Sequence, residues 1–483
     1  MKRQLLGTLT MVISSIVLQA QVYMYGTTSE GGANNLGTIY RVDENGQNFQ
    51  KLFDFSTATG GNPYAGLTLA GSKLYGFTTT GGQITNPGAV IALGTFFEFD
   101  PINNTLSVIE YIDDQSSIGN GFNHAPTLGS DGKLYFASPN YGLGGLDGIL
   151  SSYSPSTGLL ADSLAVFTNT YGQPKSKLLS ASDGNLYVTT NNSALFGNGA
   201  IVKYDVTNAN LVHLFSSNGN GTPYFQFKSA LNNELFESSN GVLWGCSRQG
   251  GNSFNSGIVF KINKDGTGYQ TMYQFNAAIS DEGFWPEGGF IEKDGVLYSS
   301  TPQENLENVN KGTLFTVDTT TGNVSFIHTL DLEGSKPKGV FTESTNGRFY
   351  LTCSGGSGDL IEYNPANGNI TNRHSFSSVD GTKPQNDQLA IVDFNVLSVD
   401  ETSLIDDFMK IYPNPVQDII NIKITSSDKI EAIKILDLKG SELYIDESKT
   451  KESVINTSFL SSGVYLLYIK TNTGSTTRKI IKE

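Results

Sequence analysis

A seven-residue phrase that opens with glycine returns seven times along this chain, and nothing else limits its fold as strongly. It reads GTIYRVD from Gly37, GTFFEFD from Gly94, GILSSYS from Gly148 and GAIVKYD from Gly199, then GIVFKIN from Gly257, GTLFTVD from Gly312 and GDLIEYN from Gly358. Successive copies lie 46 to 58 residues apart. A period near fifty belongs to propellers and other repeat arrays, whose units bury their apolar faces only by stacking on one another.

Three more registers travel with the phrase. Each copy follows a short strand whose second residue is aromatic: Tyr25, Tyr75, Tyr135, Tyr187, Trp244, Tyr298 and Tyr350. Most of these strands follow a tight-turn signal such as SDGK, SDGN or SNGV, in which Gly and Asn tolerate positive φ. Those turn residues read as turn chemistry rather than calcium ligands, since the EF-hand spacing is absent. A further strand follows the phrase, ending at Phe55, Phe167, Phe215, Phe275 and Phe376. Each unit is thus four short strands: inner, second, third and outer. On the third strand, Arg41, Glu98, Lys203, Lys261 and Glu362 alternate with apolar neighbours, the period-two signature of a strand between stacked sheets. A proline recurs before each inner strand, at Pro63, Pro126, Pro174, Pro223, Pro286, Pro337 and Pro384. Proline cannot donate to a ladder and suits a strand start.

The two ends of the array complement each other. Residues 22–28 form a second strand with no inner strand before it, and 388–394 form an inner strand with no second strand after it. The expectation is an all-β, seven-bladed β-propeller over 21–396, closed by its N- and C-terminal strands in one blade. Closure removes the edge strands that invite aggregation.

Composition excludes several functions. The chain carries a net charge of −15, and residues 21–407 alone hold 18 cations against 37 anions. Such a surface repels phosphate backbones, which argues against nucleic-acid binding. Residues 1–20 read as a signal peptide: Lys2 and Arg3, an apolar run, and a small-residue site at Ala20. No later run is apolar enough to span a membrane. Cys246 and Cys353 read as small buried hydrophobes on strands of different blades, too far apart in the array to pair. His213, His328 and His374 share one position of the outer strand, which argues for packing. No HExxH, Cys–His cluster, GxSxG or phosphate loop is present, so no cofactor or metal is called for.

Near residue 398 the composition turns Lys-rich and Gly-poor. Residues 397–408 read as a linker and 409–483 as a separate small all-β domain. Its landmarks are Tyr412-Pro413-Asn414-Pro415, Gly440, Gly463 and the terminal RKIIK containing Lys479. In that order they resemble the type A C-terminal sorting domain of the type IX secretion system. The resemblance implies an Ig-like sandwich, the type IX machinery as partner, and passage across the outer membrane of a Bacteroidetes-type cell, followed by release or surface attachment. The pattern L-Y-G-x-T, G-G, G-T-[IVL]-[FY]-x-[VIL]-[DN] over residues 22–395 resembles the GloVer-type tandem repeat of secreted bacterial β-propeller proteins. That family implies a fold and no defined activity.

In an up-and-down blade, the second-to-third and outer-to-inner connections share one face. Here they include the long segments 79–93, 138–147, 191–198, 246–256 and 302–311, whereas the opposite connections are mostly tight turns. Long loops on a rigid scaffold are where binding usually resides. The segment SDEGFWPEGG brings Asp281, Glu282 and Glu287 near Trp285, a set that could stack and hydrogen-bond a sugar. His124, Tyr224 and Phe225 are weaker, exposed candidates of the same kind. The leading expectation is an exported, monomeric, non-catalytic propeller that binds glycans or surface partners. A carbohydrate-active lyase or hydrolase using the loop carboxylates, and a purely structural surface protein, stay open beside it.

Overall fold

The computed structural model describes residues 22–482 apart from 142–146, 192–198, 217–233, 252–254, 279–281, 305–310, 331–334, 386, 395–408, 425–428, 437–441, 447–449, 462 and 472–474. The signal segment 1–20 and the whole linker 397–408 therefore lie outside the described residues.

Up to residue 394 the chain forms seven four-stranded antiparallel sheets. In the first, Val22–Glu30 pairs with Thr38–Asp43, and that strand with Gln50–Asp54. Its inner strand comes from the far end of the array: Tyr23 faces Val392 and Tyr25 faces Ala390. Thr382–Pro384 extends the same edge, with Pro384 opposite Thr28. The other sheets take their strands in chain order, the fourth adding Gln173–Pro174 beside Leu179–Ser180 on the same edge.

Apolar clusters lie between consecutive sheets. Tyr25 and Ile39 of the first sheet pack with Leu74 and Phe97 of the second. Leu314 of the sixth packs with Phe349 and Leu351 of the seventh. Tyr350 and Leu360 of the seventh in turn pack against Met24 and Tyr40 of the first. Aromatic pairs tie these layers, as between Phe275 and Phe315 at 5.3 Å, each adding about 0.5–1.5 kcal/mol beyond its buried area.

Two of the repeated sequence signals turn out to be one contact. In five of the seven phrases the opening glycine, Gly37, Gly148, Gly257, Gly312 or Gly358, lies against the proline that leads into the next sheet's inner strand. A Cβ at Gly148, Gly257, Gly312 or Gly358 would stand 2.2 to 2.5 Å from the Cδ of Pro174, Pro286, Pro337 or Pro384. No side chain fits there, so glycine and proline recur together. The turns and aromatics are joined in the same way. Asp131 caps its own turn at the Lys133 amide and accepts the Tyr135 hydroxyl; Asp183 does the same with Asn185 and Tyr187. These carboxylates are consumed within their turns.

Residues 409–482 form a three-stranded and a four-stranded antiparallel sheet. Ile420, Ile422 and Ile455 of the first share a core with Ile433, Ile435, Leu467 and Ile469 of the second. Tyr412 ends the strand Met409–Tyr412, and both of its following X-Pro bonds, Tyr412-Pro413 and Asn414-Pro415, are cis. Gly463 opens the strand Gly463–Thr471, and Lys479 lies opposite Leu466 on the last strand. Gly440 lies outside the described residues.

Candidate functional site

The lead-in segments to the inner strands converge on one cavity of about 260 Å³, lined by Tyr64, Asn123, His124, Glu234, Glu287, Gly289, Lys338, Val340 and Asp387. These residues come from six of the seven sheets, yet all occupy one stretch of the repeat. Each lies two, three or four positions before the inner-strand residue that faces the recurring aromatic: Thr68, Thr127, Phe236, Ile291, Thr342 or Ala390. The frame therefore delivers one short segment per sheet to a common point, and the side chains there differ from sheet to sheet.

Asp387 is almost fully covered and fully engaged. It accepts from the amides of Gly66 and Ala125 and from His124 Nδ1 at 3.0 Å, joining the first sheet's lead-in to those of the second and third. Its close approach depends on Gly66, where a Cβ would meet the Asp387 Cβ at 2.8 Å. His124 Nε2 faces the Lys175 carbonyl at 3.1 Å. Both ring nitrogens thus face acceptors, so both must donate, and His124 is an imidazolium. Burial opposes that charge, but the Asp387 carboxylate outweighs it and holds the His124 pKa above its ordinary value. Burial would likewise raise Asp387, but the His124 charge and hydrogen bond, with Lys177 and the Ala125 amide, hold it well below the usual carboxylate range. Behind His124, against residues 174–178, is a second cavity of about 20 Å³, room for one water.

Glu287 is also paired. Arg248 Nε lies 3.1 Å from one oxygen and Lys338 Nζ 3.0 Å from the other. Glu234 is different. Its nearest cation, Lys177, is 4.0 Å away, too far for a hydrogen bond. Burial pushes its carboxyl pKa up, and Asp387 adds to this while Lys177 and His124 resist. Lys177 is pulled down by burial but raised more by Glu234 and Asp387. Glu234 rests on Gly289, where a Cβ would stand 3.0 Å from its Cγ. At the rim, Tyr64 keeps 48% of its surface exposed.

The structure sorts the residues singled out from sequence. Glu287 and His124 line the cavity. His124, expected on an exposed loop, is mostly covered, because its lead-in turns inward toward Asp387. Trp285 sits beside the cavity rather than in it. Its backbone is left-handed (φ 57°), its indole donates to the Asn255 carbonyl, and the Arg248 guanidinium covers one face at 4.6 Å. Glu282 accepts from Tyr273 of the outer strand and is not among the lining residues. Asp281, Tyr224 and Phe225 lie outside the described residues. Sequence reasoning passed over Tyr64, Glu234, Lys338 and Asp387. Aligning the lead-ins by register, and looking for polar residues that do not repeat, would have found them. Both cysteines are buried, and burial raises their thiol pKa values. Among the described residues no group of His, Cys, Asp and Glu is arranged to hold a metal ion, and no helix is long and apolar enough to cross a membrane.

Seven stacked antiparallel sheets with a polar cavity where six of their lead-ins meet define a chain of propeller-like class, and solved structures share the arrangement of sheets. The periplasmic gluconolactonase of Pseudomonas aeruginosa is 19% identical over 77% of this chain and 99% of its own, with a TM-score of 0.51. A Bacteroides uniformis protein crystallised as a candidate 6-phosphogluconolactonase is 15% identical over 77% and 99%, with a TM-score of 0.52. At such identities the likeness concerns the fold. No functionally curated protein matches the chain. The chain belongs to the Gloeobacter/Verrucomicrobia repeat family, whose model matches residues 10–181 and 173–401. Residues 410–483 match the secretion system C-terminal sorting domain. That domain implies interaction with the type IX machinery and export across the outer membrane, to a secreted or surface-attached state.

Proposed function

We propose that this protein is an exported, non-catalytic propeller of seven blades, closed through the pairing of residues 22–30 with 382–393, which binds a single small sugar unit at its axis. Residues 21–396 form the propeller in this reading, and 409–483 an Ig-like sorting sandwich that delivers it as a monomer. Ring closure is supported by the strand pairing of Tyr23 with Val392 and by the apolar cluster joining the last sheet to the first. The observation that carries the binding role is the cavity itself, where one register of six sheets presents an open carboxyl, an ammonium and an exposed ring. Its volume, about 260 Å³, lies just under the ~300–1,000 Å³ of sites for drug-sized ligands, which suits one sugar ring better than a chain.

An array of terminal monosaccharides tests this. The full-length protein is expected to give hits that weaken together in Tyr64→Ala, a rim change that leaves the melting temperature alone. An array silent for a folded protein would remove the reading. Turnover is a second reading, favoured by Glu234, a carboxyl with no hydrogen bond among the described residues and a raised pKa that suits a general acid. A lactone or glycoside turned over by the wild type and not by Glu234→Gln, with binding retained, would establish it.

A further inference from the structure

The cavity is charged against the trend of the protein. The chain carries a net charge of −15, yet the cavity and its immediate partners hold the cations His124, Lys177, Arg248 and Lys338 against Glu234, Glu287 and Asp387. The pairing is uneven as well. His124 and Asp387 neutralise each other. Lys177 stands against Glu234. Glu287 has two cations in direct contact, Arg248 and Lys338, so four cations stand against three carboxylates and one positive charge is in surplus. Of those two, Arg248 is spent on the Trp285 face, while Lys338 is one-third exposed and lines the cavity. An ammonium has three donors, and Glu287 takes one of them. The surplus charge is therefore on an ammonium that bonds Glu287 alone among the described residues and lines a cavity of one-ring size.

Resting on the sugar-binding reading above, we propose that the ligand is a hexuronate, a single sugar ring carrying one carboxylate. Its carboxylate meets Lys338 and completes the charge balance of the Glu287 group. Its hydroxyls hydrogen-bond Glu234, the carboxyl with no hydrogen-bonding partner among the described residues. Its apolar ring face lies on Tyr64. A neutral sugar satisfies Glu234 and Tyr64 and leaves the Lys338 surplus uncompensated, so the two classes are separable. A charge-assisted hydrogen bond is about twice as strong as a neutral one.

Calorimetric titration of the full-length protein with glucuronate, galacturonate, glucose and galactose tests the assignment. The uronates are expected to bind at least about tenfold more tightly than their neutral parents, the difference shrinking as salt is raised. Lys338→Met is expected to erase that preference, Glu287 keeping Arg248 as its partner. Lys338→Arg, which preserves the charge if the Met variant folds poorly, should retain the preference. Equal affinity for acidic and neutral sugars overturns the hexuronate and leaves the sugar site standing. No heat from any of the four, with unchanged melting, overturns both. A preference that survives Lys338→Met overturns the placement of the carboxylate.

Discussion

The two faces of the array differ in what they repeat. On the turn face, the same device joins successive sheets. The Ser182 amide and hydroxyl both donate to Glu237 of the next inner strand, at 2.6 Å each, and Ser239 does the same to Glu292 at 2.6 and 2.7 Å. On the loop face, the lead-ins that meet at the cavity carry five residue types across six sheets: Tyr64, His124, Glu234, Glu287, Lys338 and Asp387. Repetition marks what every sheet must do, which is hold its neighbour. Variation at a fixed register marks what only the assembled set does. The varied residues divide again: Asp387 and His124 have their partners inside the protein, whereas Glu234, Lys338 and Tyr64 keep bonding capacity or surface for something else.

The sharpest way to break this contrast is at Asp387, a loop-face residue with a holding task. Asp387→Ala strands an imidazolium and two buried amides, and removing one partner of a buried pair costs about 3–5 kcal/mol. The signature lies in pH. His124 has a raised folded pKa, so its stabilisation is complete below its ordinary value of 6.5 and fades as pH rises through the raised value. Asp387 has a lowered folded pKa, so its share is complete above the ordinary 3.8 and fades as pH falls through the lowered one. Thermal melts of the wild type should therefore decline on the alkaline side of pH 6.5, and those of Asp387→Ala should be flatter there. An equal alkaline decline in both would show that His124 is not held charged by Asp387.

Much of the frame was legible because identical contacts leave identical residues. Gly312 and Pro337, or Gly358 and Pro384, recur as a pair since each glycine makes room for its proline. Trp244 recurs as an aromatic since it faces Phe236 across the same short hairpin that Tyr187 makes with Leu179. The cavity was harder to read for the same reason. Glu234, Lys338 and Asp387 share no residue type, and they are 49 to 153 positions apart. What they share is a place within four residues of the aromatic-facing position of an inner strand only two to four residues long in most sheets, which hydrophobic periodicity marks poorly. Trp285 stands out in the sequence as a tryptophan among carboxylates, but its ring is taken by Arg248.

The Gly–Pro contact offers a smaller and purely structural break. In Gly312→Ala the new methyl would stand 2.2 Å from Pro337 Cδ and 2.6 Å from the Thr301 carbonyl. Overpacking of this kind costs about 1–3 kcal/mol. If the proline is the obstacle, Pro337→Ala should recover part of that loss in the double variant, a coupling read from four denaturation curves. Additive losses would mean that the carbonyl, not the proline, excludes the side chain.

The weakest effect should come from the turn-face latches, and they need not be equal. Both are exposed, and exposed charged contacts contribute about 0–1 kcal/mol. Glu237, however, also receives Lys264; burial raises its pKa, but Lys264 and Ser182 together hold it lower. Glu292 is bonded to Ser239 without such a cation. Ser182→Ala should therefore cost less than Ser239→Ala, because Glu237 keeps an amide and its lysine while Glu292 keeps only the amide of residue 239. Raising salt should narrow the Lys264 contribution and bring the two variants together. If Ser182→Ala proves the costlier at low salt, the lysine depends on the serine for its placement and the latch at Glu237 is a three-member unit; the Lys264→Met single variant would then lose as much as Ser182→Ala does.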